Sequence, residues 1–153
     1  MERKFRVSAG AIVIRGDEIL LVRAKNSDGN DFLVAPGGGV ESDEGINQAC
    51  IREAREETGI EVKPCKILFV EDLVWQNKRV VKTWFLCDVV GGELTHTQGA
   101  IEEGLIGARW FRKDQLKNEI VFPAVIMHFD WDSFAEDNWK TQYLGMGNSD
   151  FDL

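Results

Sequence analysis

The chain has 153 residues, 44% of them hydrophobic and 29% charged, and carries a net charge of −8. Such a length and apolar content fit one compact domain with a core of its own. The acidic balance argues against a nucleic-acid polymer or an anionic membrane as the main partner, because both attract basic patches.

An acidic protein can still hold a phosphorylated small molecule when metal ions stand between the two sets of negative charge. The three cysteines, Cys50, Cys65 and Cys87, are odd in number and show no CxxC spacing. Free, buried thiols in a reducing compartment are therefore expected. The opening MERKFRVSAG lacks the apolar run of a signal peptide, and no stretch approaches about 18 apolar residues. The expectation is a cytoplasmic protein with a single domain over residues 1–144. The closing GMGNSDFDL, residues 145–153, is polar and Gly-rich enough to form a loose tail.

In chain order, Phe5 to Ile14 and Ile19 to Arg23 read as two strands joined by a turn at RGDE. The unbroken run Ile12, Val13, Ile14 predicts a strand covered on both faces. Residues 26–31, NSDGND, read as a turn, since Asp28 and Asp31 fail the spacing of a calcium loop. Phe32 to Val34 is a short strand leading into glycines. Further on, Glu61 to Trp75 and Arg79 to Val90 read as two long strands around Gln76-Asn77-Lys78. Residues 93–107 form a polar loop with adjacent carboxylates, Glu102 and Glu103, before a last core strand at Ala108 to Phe111. Asp114 is placed to cap a short helix, and Pro123 to open a longer one reaching Phe134. This order predicts an α/β fold with a mixed sheet between helical layers.

The most informative stretch is Pro36 to Ile60, PGGGVESDEGINQACIREAREETGI. On a helix, Glu53, Glu56 and Glu57 stand at i, i+3 and i+4 and share one face. Like charges so spaced cost an isolated helix a few tenths of a kcal/mol per pair. Arg52 and Arg55 offset part of that, but point off the centre of the cluster. A hard divalent cation such as Mg²⁺ would relieve the repulsion through oxygen ligands; the alternative is a solvated acidic face. Gly37, Gly38 and Gly39 permit close backbone approach and positive φ, next to a helix start suited to anions. Alone, they would signal only a tight turn. Ser42 or Asp43 can cap the helix, with Asp43 and Glu44 at its positive end. Ala49, Cys50 and Ala54 would let it lie close to a sheet, and Gly59 can end it in the left-handed conformation.

Gly38, five residues, Glu44, seven residues, then Arg52-Glu53-Ala54-Arg55-Glu56-Glu57-Thr58-Gly59-Ile60 resembles the Nudix box, G-x5-E-x7-R-E-U-x-E-E-x-G-U with U aliphatic. Every fixed position is filled, Ala54 being a small version of its aliphatic one. The resemblance covers most of residues 5–125, including the strand that enters the glycines and the later pair Trp110-Phe111. It is to the MutT-like Nudix hydrolases. What it implies is an α/β/α sandwich that uses Mg²⁺, or Mn²⁺, to cleave the pyrophosphate of a nucleoside diphosphate linked to a group X. The partner implied is a phosphorylated, nucleotide-type small molecule, and family members are often homodimers. Glu53, Glu56 and Glu57 are the implied metal ligands, with the backbone carbonyl near Gly38. Arg52 is implied to orient the carboxylates, which differs little from an ordinary ion pair. Glu44 supports the loop–helix geometry, for which capping is a sufficient alternative. The implied catalytic set is Arg52, Glu53, Glu57 and a loop carboxylate, Glu102 or Glu103. The general base is Glu53 or a carboxylate outside the box, and the alternative for the loop pair is solvation.

On the substrate side, Gly37, Gly38 and Gly39 are placed to approach a ligand, and Trp75 to stack on a base; core packing is the other reading of Trp75. Trp84, Trp110, Trp131 and Trp139 read as packing residues. His96 and His128 are lone histidines without metal partners. The window after the box holds Trp75, Gln76 and Asn77, and neither the Pro nor the Tyr of two family signatures. ADP-ribose or another nucleotide sugar leads on overall similarity. The alternatives are cleavage of a nucleoside triphosphate to its monophosphate, or a sensor that binds nucleotide without cleaving it. An isomerase of this fold would need a loop cysteine, and none of the three lies in a loop-like run. Residues 126–144 fall outside the resemblance and suit a lid or extra packing.

Overall fold

In the computed structural model of this chain, residue 2 and residues 4–148 are described. Strand β1 (Lys4–Arg15) runs through the middle of the sheet. Its Ile12 belongs to one apolar cluster, while Ala11 and Val13 belong to another on the opposite face. A strand sandwiched in this way needs apolar residues on both sides, which accounts for its unbroken run. Along one edge β1 pairs in parallel with β6 (Lys78–Gly92), from Lys4↔Lys78 to Val13↔Cys87. Its other edge is divided between two partners. β2 (Glu18–Lys25) folds back antiparallel from Ile14 and Arg15, and β4 (Gly37–Gly39) lies antiparallel to Ser8–Gly10. The sheet forks between them.

On one branch β2 lies between β3 (Asp31–Val34) and β7 (Gly107–Arg112), and β8 (Val121–Phe122) lies beside β3. On the other side of β1, β6 is followed by β5 (Ile60–Trp75) and then β9 (Gln142–Asn148). The last of these changes the reading of the C-terminus. Residues 145–148, expected in a loose tail, belong to β9, where Met146, Gly147 and Asn148 pair in parallel with β5, and residues 149–153 of that tail lie outside the described residues.

One face of the mixed sheet is covered by α1 (Ile46–Thr58), whose Ala49, Cys50 and Ala54 pack on Ala9, Ala11 and Cys87. Small side chains on both surfaces bring the helix close. The helix begins later than Ser42 or Asp43 would place it. Gly45 is the N-cap, and its N–H donates to Gln48 Oε1 at 2.7 Å. The Glu44 carboxylate is not free to serve that end, because it is taken by Arg52 and by the N–H of Glu41. A short α2 (Gln98–Glu102), capped by Thr97, lies on the same side against α1.

The opposite face carries 3₁₀ turns at Lys113–Leu116, Ala124–His128 and Trp131–Ala135. The long helix expected from Pro123 to Phe134 is therefore broken. Asp130 accepts from the N–H of Asp132 at 3.1 Å and starts a new turn within that span. Pro123 itself stands one position before its turn, and Arg112 rather than Asp114 precedes the first. Aromatic contact holds this irregular layer down: Phe69, Phe134 and Trp139 meet edge to face, with centroids 5.1–5.8 Å apart. Each such pair contributes about 0.5–1.5 kcal/mol beyond its buried area. Two thiols are buried as expected, with Cys50 and Cys87 Sγ 3.6 Å apart, but Cys65 is exposed. Among the described residues no helix is long and apolar enough to cross a membrane.

Gly59 and Gly29 have the same φ of +81°, but differ in surroundings. A Cβ at Gly59 would stand 2.4 Å from the carbonyl oxygen of Glu93, whereas one at Gly29 meets nothing within 4 Å. Gly29→Ala should cost only the left-handed strain, about 1–2 kcal/mol. Gly59→Ala should cost clearly more, and chemical denaturation of the two variants measures the difference.

Candidate active site

The box helix places its carboxylates by phase, and the sheet decides which of them are buried. Glu53 and Glu57, one turn apart, face β4 and are 5% and 4% exposed. Gly38 is the reason that they can. A Cβ there would lie 2.5 Å from Glu53 Oε1, so the strand must lack side chains where the carboxylate rests. The sequence allows these glycines close approach, positive φ, or a tight turn. Gly37–Gly39 is a strand with no positive φ, and close approach is the property being used.

Arg52 holds the loop and the helix together. Its guanidinium donates to both oxygens of Glu44, at 2.6 and 3.0 Å, and to the carbonyl of Gly39 at 3.0 Å. It also donates to Glu53 Oε1 at 3.0 Å and to Glu56 Oε2 at 3.2 Å. Arg52 thus turns into the cluster rather than away from it; Arg55 pairs with Glu61. The forked bond from Arg52 pulls the Glu44 carboxyl down to about 2.

Glu57 Oε1 accepts the N–H of Gly37 at 2.7 Å. Glu103, at the end of α2, completes a group with Glu53 and Glu57 whose ligand atoms all lie within 4.8 Å of one another. At that separation and an effective dielectric of about 20, each charged pair repels by roughly 3.5 kcal/mol. Burial pushes the Glu53 carboxyl up, opposed by Arg52. Burial also raises Glu57 well above the usual carboxylate range, against the Gly37 hydrogen bond and reinforced by Glu103. Glu103 rises for the same first reason, with Glu53 next. One atom stands out: Glu53 Oε2 is buried and has no hydrogen-bond partner among the described residues. A buried, unpaired carboxylate oxygen beside two more carboxylates fits a hard divalent cation.

Next to this group opens a cleft of about 430 Å³. Glu57 and Glu103 stand at one end, and Arg6 and Lys82 supply positive charge beside them. Lys82 Nζ lies 4.2 Å over the Trp84 ring. Burial lowers the Lys82 ammonium, while Glu57 and Glu71 oppose that shift.

The structure therefore gathers Arg52, Glu53, Glu57, Glu103 and the three glycines, and leaves three other residues apart. Glu56 shares Arg52 Nη1 with Glu53, at 3.2 and 3.0 Å, but is not in the group within 4.8 Å. Glu102 is exposed and accepts from Gln98 at 3.3 Å. Trp75 ends β5 at the hairpin tip, with Lys78 Nζ 5.4 Å from its ring, and does not line the cleft. The cleft's tryptophan is Trp84, read above as a packing residue and 1% exposed. Sequence reasoning also passed over Arg6, Glu71 and Lys82. The signal was present as period-two spacing: Val80, Lys82 and Trp84 on β6, facing Glu71 and Leu73 on β5, all on one side.

Residues 4–128 match the family model described as the NUDIX domain. The chain is 36% identical over 90 residues to an ADP-ribose pyrophosphatase of Methanocaldococcus jannaschii, covering 58% of this chain and 53% of that protein. It is 34% identical over 108 residues to an 8-oxo-dGDP phosphatase of Danio rerio, covering 70% of this chain and 32% of that protein. The chain thus spans about half the length, or less, of these curated relatives. Among solved structures, a NUDIX hydrolase from Nitrosomonas europaea aligns with a TM-score of 0.68 at 25% identity, covering 82% of this chain and 85% of that one. With its box spacing intact, its carboxylates gathered at one helix and the family match running from residue 4 to residue 128, the chain belongs to the MutT-like NUDIX domain family.

Proposed function

We propose that this protein is a divalent-metal-dependent hydrolase that cleaves the pyrophosphate linkage of a nucleoside diphosphate joined to a further group. The observation carrying this reading is Glu53 Oε2, buried with no hydrogen-bond partner among the described residues, grouped with two further carboxylates that line a cleft containing Arg6, Lys25 and Lys82. Glu53, Glu57 and Glu103 would hold the ion, Mg²⁺ being the first choice for an all-oxygen donor set and Mn²⁺ the second. Bound there, such an ion supplies charge neutralisation on the phosphates and activation of the attacking water.

The chain's own residues do the positioning. Arg52 fixes Glu53 and ties the glycine strand to the helix, so the carboxylates need no reorganisation when substrate arrives. Gly37 N–H holds one oxygen of Glu57 and leaves the other for the ion. Lys82 and Arg6 reach the cleft from the strands β6 and β1 and would neutralise phosphate oxygens there. Glu103 lies on an exposed loop at the rim, where it is also placed to take a proton from the attacking water. The curated relatives named above act by name on an adenine and on an oxidised guanine nucleotide. ADP-ribose is the first compound to assay, with nucleoside triphosphates beside it.

Glu53→Gln and Glu57→Gln should each lower kcat/KM by roughly a hundredfold or more. Glu53→Gln should also keep or raise the Tm of the metal-free protein, since it replaces an orphaned charge with a neutral amide. Wild-type protein should gain Tm with Mg²⁺ or Mn²⁺, and that gain should vanish in the variant. If metal fails to shift the wild-type Tm or to support phosphate-bond cleavage, the reading is lost. Within the loop, Glu103→Gln should reduce turnover at least tenfold and weaken metal binding measured by calorimetry. Glu102→Gln should leave both within about twofold, because its carboxylate points away.

A further inference from the structure

The cleft extends well beyond the carboxylates, and the sheet register shows how far. Gly39, Ser8, Lys82 and Glu71 lie directly opposite one another on four successive strands, β4, β1, β6 and β5. Directly paired residues share a face, and adjacent strands stand about 4.8 Å apart. Glu71 is therefore three strand steps, on the order of 14 Å, from the glycine strand. That is about the reach of a nucleotide from its phosphates to the outer edge of its base. Lys82 stands between.

Glu71 is prepared for a ligand in a way that its neighbours are not. Its Oε1 accepts the indole N–H of Trp84 at 2.6 Å, and the Trp84 ring lies almost wholly buried against Gly10. A side chain as long as glutamate is thus fixed by a rigid, core-packed donor. Its Oε2 has no hydrogen-bond partner among the described residues, and the residue lines the cleft. Leu73 and Val80 pair two residues further along the same face as Glu71 and Lys82, and Leu105, Phe32 and Phe122 also line the cleft, the two rings edge to face at 5.6 Å. A flat ring with hydrogen-bond donors on its edge matches such a slot.

We propose that Glu71, positioned by Trp84, selects the base, and that it takes a guanine-type ring presenting two adjacent N–H donors. A carboxylate is an acceptor only, with about four lone-pair sites. The imino N–H and the 2-amino group of guanine can both reach it, side by side. Adenine and cytosine offer an amino group next to a bare ring nitrogen, whose lone pair faces the second oxygen. Uracil's imino N–H is flanked by carbonyls, and hypoxanthine has the imino donor alone. This inference rests on the reading of the site as one for nucleotides, and it narrows the choice left open there.

The test measures binding, so it does not need turnover. Isothermal titration of wild-type protein with GMP, IMP, AMP, CMP and UMP, in Mg²⁺, should show GMP tightest, by roughly tenfold over IMP and AMP. Glu71→Gln keeps the size of the side chain and the bond from Trp84, but sets an amide N–H against the ring donors. It should weaken GMP at least tenfold and leave AMP within about threefold. Glu53→Gln should abolish hydrolysis while preserving the GMP preference. Equal binding of GMP and AMP by wild type, or an unchanged GMP preference in Glu71→Gln, overturns the proposal. Preference for GMP without cleavage of any nucleotide would leave the proposal standing and remove the hydrolase reading. Failure of every base to bind overturns the proposal, and the metal-dependent cleavage assay decides the hydrolase reading separately.

Discussion

The Glu53 carboxylate rests on a strand stripped of side chains at Gly38, with one oxygen held by Arg52 and the other buried without a partner among the described residues. Much of the molecule follows from keeping a charge in that position. The helix that carries it must lie close to the sheet, which requires Ala49, Cys50 and Ala54 beneath it and Ala9 and Ala11 opposite. The strand against it must be glycine, and the counter-charge comes from Arg52 on the same helix, which Glu44 of the loop fixes from outside. Each of these residues is ordinary alone. Together they hold two buried acids side by side, an arrangement that a small cation would relieve.

Charge is also ordered along the floor of the cleft. Acidic groups lie at the box, cations at Arg6 and Lys82, and a single acid at Glu71 on the far side. A uniformly basic cleft would hold any polyphosphate, whereas this alternation has a direction. The net charge of −8 is compatible with an anionic ligand because Arg6, Lys25 and Lys82 line the cleft itself.

The box was legible in the sequence because helical phase is rigid: once residues 46–58 are a helix, the spacing of Glu53 and Glu57 places both on one face. The core strands were legible for the same kind of reason, since period-two and unbroken apolar runs report burial directly. Which carboxylate of the Glu102–Glu103 pair turns inward was not, because α2 is five residues long and its phase is set by Thr97 bonding the backbone of α1. The choice between Trp75 and Trp84 needed the pairing of β5 with β6, which no local pattern contains. Between Lys113 and Trp139 the chain follows the aromatic contacts it can make with Phe69, and its 3₁₀ turns have no period long enough to read.

The divided edge of β1 has a consequence for how the family shape survives divergence. The strand leaves β4 at Gly10 and meets β2 at Ile14, so the opening between those partners is spanned by four steps of covalent backbone, about 13 Å. Its width is thus a ruler made of peptide bonds, independent of which apolar side chains decorate the interval. Replacements there change packing by degrees, but losing one residue would both shorten the ruler and turn the following side chains over to the wrong face. The opening in this chain is therefore set by the number of residues between Gly10 and Ile14 rather than by their identity.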